Sequence, residues 1–177
     1  MHQHRSPENW FVLQTLVGKE KKMKDSIDRV GEFSIPTYLP QKKMYHTYKG
    51  EFQVVTKVLF PGYVFVQKEI EKLLAIGKTP LISEKIRPVM FHDSPATVKA
   101  SEMLNIFFMA DDNGVIELSE VHWEEGENVA IISGPLKDIE GEIVFIDKRK
   151  RKAKVMVRLL NRLVPMTLGF QILERKK

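Results

Sequence analysis

The chain has 177 residues, 43% of them apolar, and a formal net charge of +5; this allows a buried core in one or two domains and suits an acidic or nucleic-acid partner. It has no cysteine, which excludes disulfides, thiolate metal sites and cysteine nucleophiles. No apolar run approaches the roughly 18 residues of a membrane span, residues 1–9 are too polar for a secretory signal, and the expectation is a soluble, cytoplasmic monomer.

Residues 1–8 read as a disordered tail, with His2 and His4 solvated rather than metal-bound. Trp10-Phe11-Val12-Leu13 is rich in β-formers and predicts the first strand. Gly18 ends the connection to an amphipathic helix over 19–30, with Met23, Ile27 and Val30 on one face. Lys19, Lys21, Lys22, Lys24 and Arg29 fill the rest of it, either as a solvated face or as a phosphate contact. Beyond Phe33, Pro36 and Pro40 rule out a helix. Residues 42–48 and 51–59 alternate loosely around Lys49-Gly50, a hairpin signal, and the hairpin carries Tyr45, His46 and Tyr48.

Phe60-Pro61-Gly62-Tyr63-Val64-Phe65-Val66 is the most apolar and aromatic short run. Pro61 and Gly62 mark a bend before a strand. Tyr63 and Phe65 share one parity, Phe60, Val64 and Val66 the other, so both faces need cover. The run is either a buried central strand or a strand whose Tyr63 and Phe65 face a partner. Ile70, Leu73 and Leu74 predict a short helix ending near Gly77. Residues 86–91, interrupted by Pro88, predict an edge strand. Pro95 precedes a helix with Met103, Ile106, Phe107 and Ala110 as its buried stripe. Strand, helix, strands, helix, strand, helix is the order of an α+β sandwich.

Residues 111–127 hold seven acids and no Lys or Arg, and this shift marks 111–126 as a flexible linker between a domain at 9–110 and a smaller one at 127–177. The smaller one reads as short strands over 128–133, 141–147, 152–160 and 163–167, which suggests an SH3-like barrel. Asp147 is followed by Lys148-Arg149-Lys150-Arg151-Lys152 at a hairpin tip, and Arg158 and Arg162 are read as adding to the same surface. Five adjacent like charges repel unless a polyanion neutralises them, and a nucleic-acid backbone does so.

Catalysis finds no support. The five histidines are scattered, Gly134 and Gly141 do not form a phosphate loop, and Asp111-Asp112 reads as a solvated acidic segment. No cofactor or metal is expected.

Val129-Ala130-Ile131-Ile132-Ser133-Gly134-Pro135-Leu136-Lys137-Asp138-Ile139-Glu140-Gly141, continued by Asp147 to Ala153, resembles the KOW motif of the NusG transcription factors. Trp10-Phe11-Val12 with the Phe60 to Val66 run resembles that family's N-terminal (NGN) domain. The resemblance implies that 9–110 binds the clamp helices of RNA polymerase through an apolar pocket, lined by Tyr63 and Phe65 and supported by Phe60 and Trp10. It places Lys19, Lys21 and Lys22 near upstream or non-template DNA. It gives the KOW domain RNA, a ribosomal protein or a termination factor as partner.

Asp138 stands where the housekeeping pattern has glycine. The acidic linker and dense basic tip are more like specialised antitermination paralogs of the LoaP type, which recognise a leader RNA hairpin. The implied function is transcription elongation and antitermination. The alternatives are a housekeeping factor coupling polymerase to ribosome or termination factor, and a ribosomal-type RNA-binding module.

Overall fold

A computed structural model describes residues 6–29, 35–67, 87–123, 129–139 and 142–173. The expectations on His2 and His4, Val30, Phe33, the helix of Ile70, Leu73 and Leu74 with its end at Gly77, Ile86, and residues 124–128, Glu140 and Gly141 lie outside the described residues. In chain order the elements are β1 (Trp10–Gln14), α1 (Glu20–Arg29), β2 (Thr37–Tyr38), β3 (Gln41–Tyr48), β4 (Glu51–Val58), β5 (Tyr63–Gln67), β6 (Arg87–Pro88), β7 (Met90–Phe91), β8 (Ser94–Pro95) and β9 (Thr97–Val98). Then follow α2 (Ala100–Met109), β10 (Val115–Ile116), β11 (Ser119–Trp123), β12 (Val129–Ser133), α3 (Pro135–Asp138), β13 (Ile143–Asp147), β14 (Lys152–Leu159) and β15 (Arg162–Leu173). Among the described residues no helix is long and apolar enough to cross a membrane.

The chain divides into two units. The first comprises Met1–Leu39, Phe60–Ile106 and Leu159–Asn161, and the second Pro40–Leu59, Phe107–Arg158 and Arg162–Lys177.

In the first unit the sheet runs β2-β5-β1-β6, with β9 also paired to β1. The mixture of helix and antiparallel sheet agrees with the α+β expectation. Strand β1 forms where β-formers cluster, and Trp10, Phe11, Val12 and Leu13 are all buried. Helix α1 buries Met23 and Ile27, the face its periodicity predicts. Asp28 Oδ1 accepts the Thr37 hydroxyl, which fixes the end of α1 to β2. In α2, Met103 and Ile106 are buried as expected, while Phe107, and Ala110 just past its end, are only half-buried. Glu102 is buried too. Its carboxylate accepts the N–H of Lys99 at 3.2 Å, of Leu160 at 3.0 Å and of Asn161 at 3.1 Å, so the buried charge is satisfied by hydrogen bonds.

Among the described residues, the second unit is built on two sheets. One is the hairpin β3–β4 with β10 beside β3; the other runs β12-β11-β15-β14-β13. Lys49 and Gly50 have φ of 49° and 86°, the two positive values a type I′ hairpin turn requires. A β-carbon on Gly169 would stand 2.7 Å from the Lys43 carbonyl oxygen, so β15 and β3 lie backbone to backbone there. Gly134 is equally constrained: its φ is 86° and a β-carbon would stand 2.8 Å from Ser119 Cα. The hydroxyl of buried Ser119 accepts the Leu136 N–H at 2.9 Å, which seats the short helix after Pro135.

Two expectations are corrected. The acidic stretch is not simply a solvated linker, since β10 and β11 lie within it and β11 runs between β12 and β15. Ser119 and Val121 alternate inward, while Glu120 accepts the Ser133 hydroxyl at 2.7 Å and Gln171 Nε2 at 2.9 Å. Acidic composition thus conceals a strand whose one carboxylate, Glu120, bonds to side chains of the two neighbouring strands. Residues 6–8, the described part of the expected tail, are held as well: the Ser6 carbonyl accepts Trp10 Nε1 at 2.7 Å, and Gln67 Nε2 reaches the Ser6 and Glu8 carbonyls at 3.0 and 2.8 Å.

Candidate functional site

In the first unit the candidate surface is built on the turn before β5. Phe60 O accepts the Tyr63 N–H at 3.2 Å, Pro61 occupies the second position, and Gly62 has φ 85°. That is a type II turn, which needs positive φ at its third residue. The turn is fastened to the β1–α1 loop. Gly62 O accepts the Thr15 N–H at 2.8 Å, and Gly62 N–H donates to Glu20 Oε1 at 2.7 Å. The same oxygen takes the Gly18 N–H at 3.0 Å. Burial works to raise the Glu20 pKa, but the N–H groups of Gly62, of Glu20 itself and of Gly18 outweigh it and hold the carboxyl below the usual carboxylate value.

Around this turn the predicted residues separate. Trp10, Phe60 and Phe65 are buried, and Phe65 is 0% exposed. The expectation that Phe65 faces outward is therefore corrected. Strand β5 lies between β2 and β1, with Phe65 opposite both Tyr38 and Val12. Phe65 rests 5.7 Å from Phe60 and 6.5 Å from Tyr38 between ring centroids, and Tyr38 lies 6.1 Å from Trp10. The aromatic parity is core, and only Tyr63 retains part of its surface.

The exposed apolar groups are ones the sequence reading passed over. Leu16 and Val17, in the loop that Glu20 ties down, are 72% and 75% exposed. Val17 Cγ2 would lie 3.6 Å from a β-carbon on Gly62, so this pair sits beside the turn. Two apolar residues before a loop glycine, outside any period, were the available signal. Lys19, Lys21 and Lys22 are exposed immediately after them.

In the second unit the basic segment does form a hairpin tip, between β13 and β14. Asp147 Oδ1 accepts the Lys150 N–H at 2.9 Å, and the Lys150 ammonium is 4.0 Å from the other carboxylate oxygen. Arg151 turns at φ 49°. Its guanidinium lies 4.9 Å from the Tyr45 ring and 4.5 Å from the Phe52 ring, while the Lys148 ammonium lies 4.3 Å above Trp123. Two of the tip cations are thus held on aromatic faces. Arg149 and Lys150 remain exposed, and Lys152 is half-buried.

Arg158 and Arg162 are exposed but do not join the tip. Arg158 is six residues along β14 from Lys152, about 20 Å away at the rise of a strand. Lys154, between them, faces outward with Lys152 because Ala153 and Val155 alternate inward; sequence reading did not single it out. Neither the aromatic partners of Lys148 and Arg151 nor the Glu20 tie was visible, since each joins residues far apart in sequence. Lys42, on β3 opposite Lys57, is buried, and burial first, then the Lys57 charge, lowers its pKa to about 8. Among the described residues no three His, Cys, Asp or Glu side chains converge as metal ligands.

A family model described as transcription termination factor nusG matches residues 8–107. The chain is 29% identical over 177 residues to the transcription termination/antitermination protein NusG of Thermus thermophilus, with 91% of this chain and 95% of that protein covered. It is 27% identical over 177 residues to the Bacillus subtilis protein of the same name, covering 95% and 98%. A solved structure titled "Domain interaction in Thermotoga maritima NusG" aligns at 25% identity with a TM-score of 0.49, covering 92% of this chain and 93% of that one.

Proposed function

Because this chain belongs to the NusG family of transcription termination/antitermination proteins, we propose that it is an elongation and antitermination factor of the specialised, LoaP-like kind. In this reading residues 9–110 bind the clamp helices of RNA polymerase around Tyr63. Trp10, Phe60 and Phe65 give that surface its shape from beneath, and Lys19, Lys21 and Lys22 lie towards upstream or non-template DNA. Residues 127–177 act as a KOW domain that holds a leader RNA hairpin through Lys148, Arg149, Lys150, Arg151 and Lys152, with Arg158 and Arg162 as more distant contacts. No bond is made or broken. Preferential binding to the elongating form of polymerase shifts its population away from the paused form.

The observation that carries the RNA reading is the charge state of the tip. Asp147 is its carboxylate and already receives the Lys150 N–H, while two cations are spread on aromatic rings. Arg149 and Lys150 are exposed and Lys152 partly so, leaving more positive charge than Asp147 can offset, which phosphates neutralise.

The experiment is read-through of a terminator in a purified transcription system, on templates with and without a candidate leader. The protein raises read-through on the leader template, and a Lys148→Ala, Arg149→Ala, Lys150→Ala variant loses that gain. The variant's RNA affinity also depends less steeply on salt, by about one unit of slope for each phosphate contact removed. Equal read-through by both proteins contradicts the reading.

A further inference from the structure

We infer that the outward face of β13 and β14 is a stacking platform for an unpaired base of single-stranded RNA, an inference that rests on the RNA reading of the adjacent tip. Phe145 is 58% exposed and Val144 57% exposed. The register between β13 and β14 is irregular between Ile143 and Phe145. An extra residue at such a bulge breaks the strict in-out alternation, which is how two consecutive apolar side chains come to face solvent. A single exposed apolar group is ordinary, but two together beside a row of cations form a surface suited to a ligand with an apolar face and negative charge.

The neighbours decide what that contact takes. Phe145 is paired with Lys154, and Asp147 with Lys152, so these four side chains share one face, with Phe145 and Lys154 about 5 Å apart at their β-carbons. Lys154 is exposed, and Arg149 and Lys150 continue the row into the tip. The carboxylate of Asp147 is only 19% exposed and is engaged by Lys150. An aromatic ring bordered by cations fits a nucleotide, whose base stacks on the ring while its phosphates meet the lysines. Single-stranded RNA, rather than duplex, has bases free to do so. The tip then reads the phosphate backbone of a hairpin, and Phe145 takes a base from its loop or flank.

The test uses the full chain, a fluorescein-labelled oligouridine and a blunt RNA duplex of equal length. Phe145→Ala weakens oligouridine binding by about five- to a hundred-fold and leaves the salt slope and the duplex affinity unchanged. Phe145→Trp keeps the affinity, and its added emission is quenched by oligouridine. Lys154→Ala lowers the salt slope by about one. Unchanged oligouridine affinity in Phe145→Ala, with no added quenching in Phe145→Trp, overturns the platform, while the basic tip keeps its RNA role. Failure of the unmodified protein to bind either RNA overturns the RNA reading itself and the platform with it.

Discussion

Glu20 Oε1 accepts the N–H of Gly62 at 2.7 Å, joining residues 42 apart in sequence. With the Gly18 N–H on the same oxygen at 3.0 Å, one carboxylate holds the first turn of α1, the β1–α1 loop and the turn before β5 in one arrangement. Leu16, Val17 and Tyr63 are presented from that arrangement.

Removing the tie is expected to destabilise and loosen this surface. Glu20→Ala leaves the Gly62 and Gly18 N–H groups without their acceptor, a loss of about 1–3 kcal/mol for a buried donor. Glu20→Gln keeps an acceptor and loses less. The pH dependence has a definite sign. The folded-state pKa lies below the ordinary carboxylate value, so the contribution is complete above the unfolded pKa of about 4.3 and is lost as pH falls through the folded value. Urea unfolding from neutral pH down to acid then shows a shallower acid loss for Glu20→Gln than for the unmodified protein; equal slopes contradict the role given to the charge.

Lys42 is expected to destabilise the fold when charged, with a pH dependence of the same sign. Its pKa is lowered to about 8, so the unfolded chain binds more protons than the folded one between that value and the ordinary lysine range. Stability therefore rises with pH across that window, and the burial penalty is fully present below it. Lys42→Met is expected to raise Tm at neutral pH, with a difference from the unmodified protein that shrinks between about pH 8 and pH 10.4. A pH-independent difference contradicts this.

Gly169 tests the packing of β15 on β3. A β-carbon there meets Lys43 O at 2.7 Å and Leu118 Cδ2 at 2.6 Å, one backbone and one side chain. Gly169→Ala forces the strands apart and is expected to cost about 1–3 kcal/mol, the usual range for overpacking. Differential scanning calorimetry measures it, and an unchanged Tm contradicts the close approach.

Much of the fold was legible because each element carries its period. The α1 face of Met23 and Ile27, the hairpin at Lys49-Gly50 and the strand after Pro61-Gly62 all follow from local patterning. Two kinds of feature were not. Strand β11 hid within the acidic stretch because only Ser119 and Val121 point inward, too few to register against seven acids. The direction of Phe65 was not readable either. Parity tells which residues share a face, but not whether a sheet neighbour such as Tyr38 and other core groups cover it. The site was legible as charge at the Lys148 to Lys152 tip, yet its aromatic partners Tyr45, Phe52 and Trp123 come from distant strands. Phe145 was readable as an apolar strand residue, and only the irregular register shows it outside.

The most direct measurement is binding of the purified chain to core RNA polymerase, by co-elution and by titration, for the unmodified protein, Tyr63→Ala and Phe65→Ala. Tyr63 is half-buried at the surface, so Tyr63→Ala is expected to weaken binding about ten-fold or more, the loss of a contact worth about 1.4 kcal/mol or above, with little change in Tm. Phe65→Ala, a buried truncation, is expected to lower stability by about 3–5 kcal/mol. Absence of co-elution by the unmodified, folded protein, or full binding by Tyr63→Ala, contradicts a polymerase contact centred on the turn that Glu20 holds.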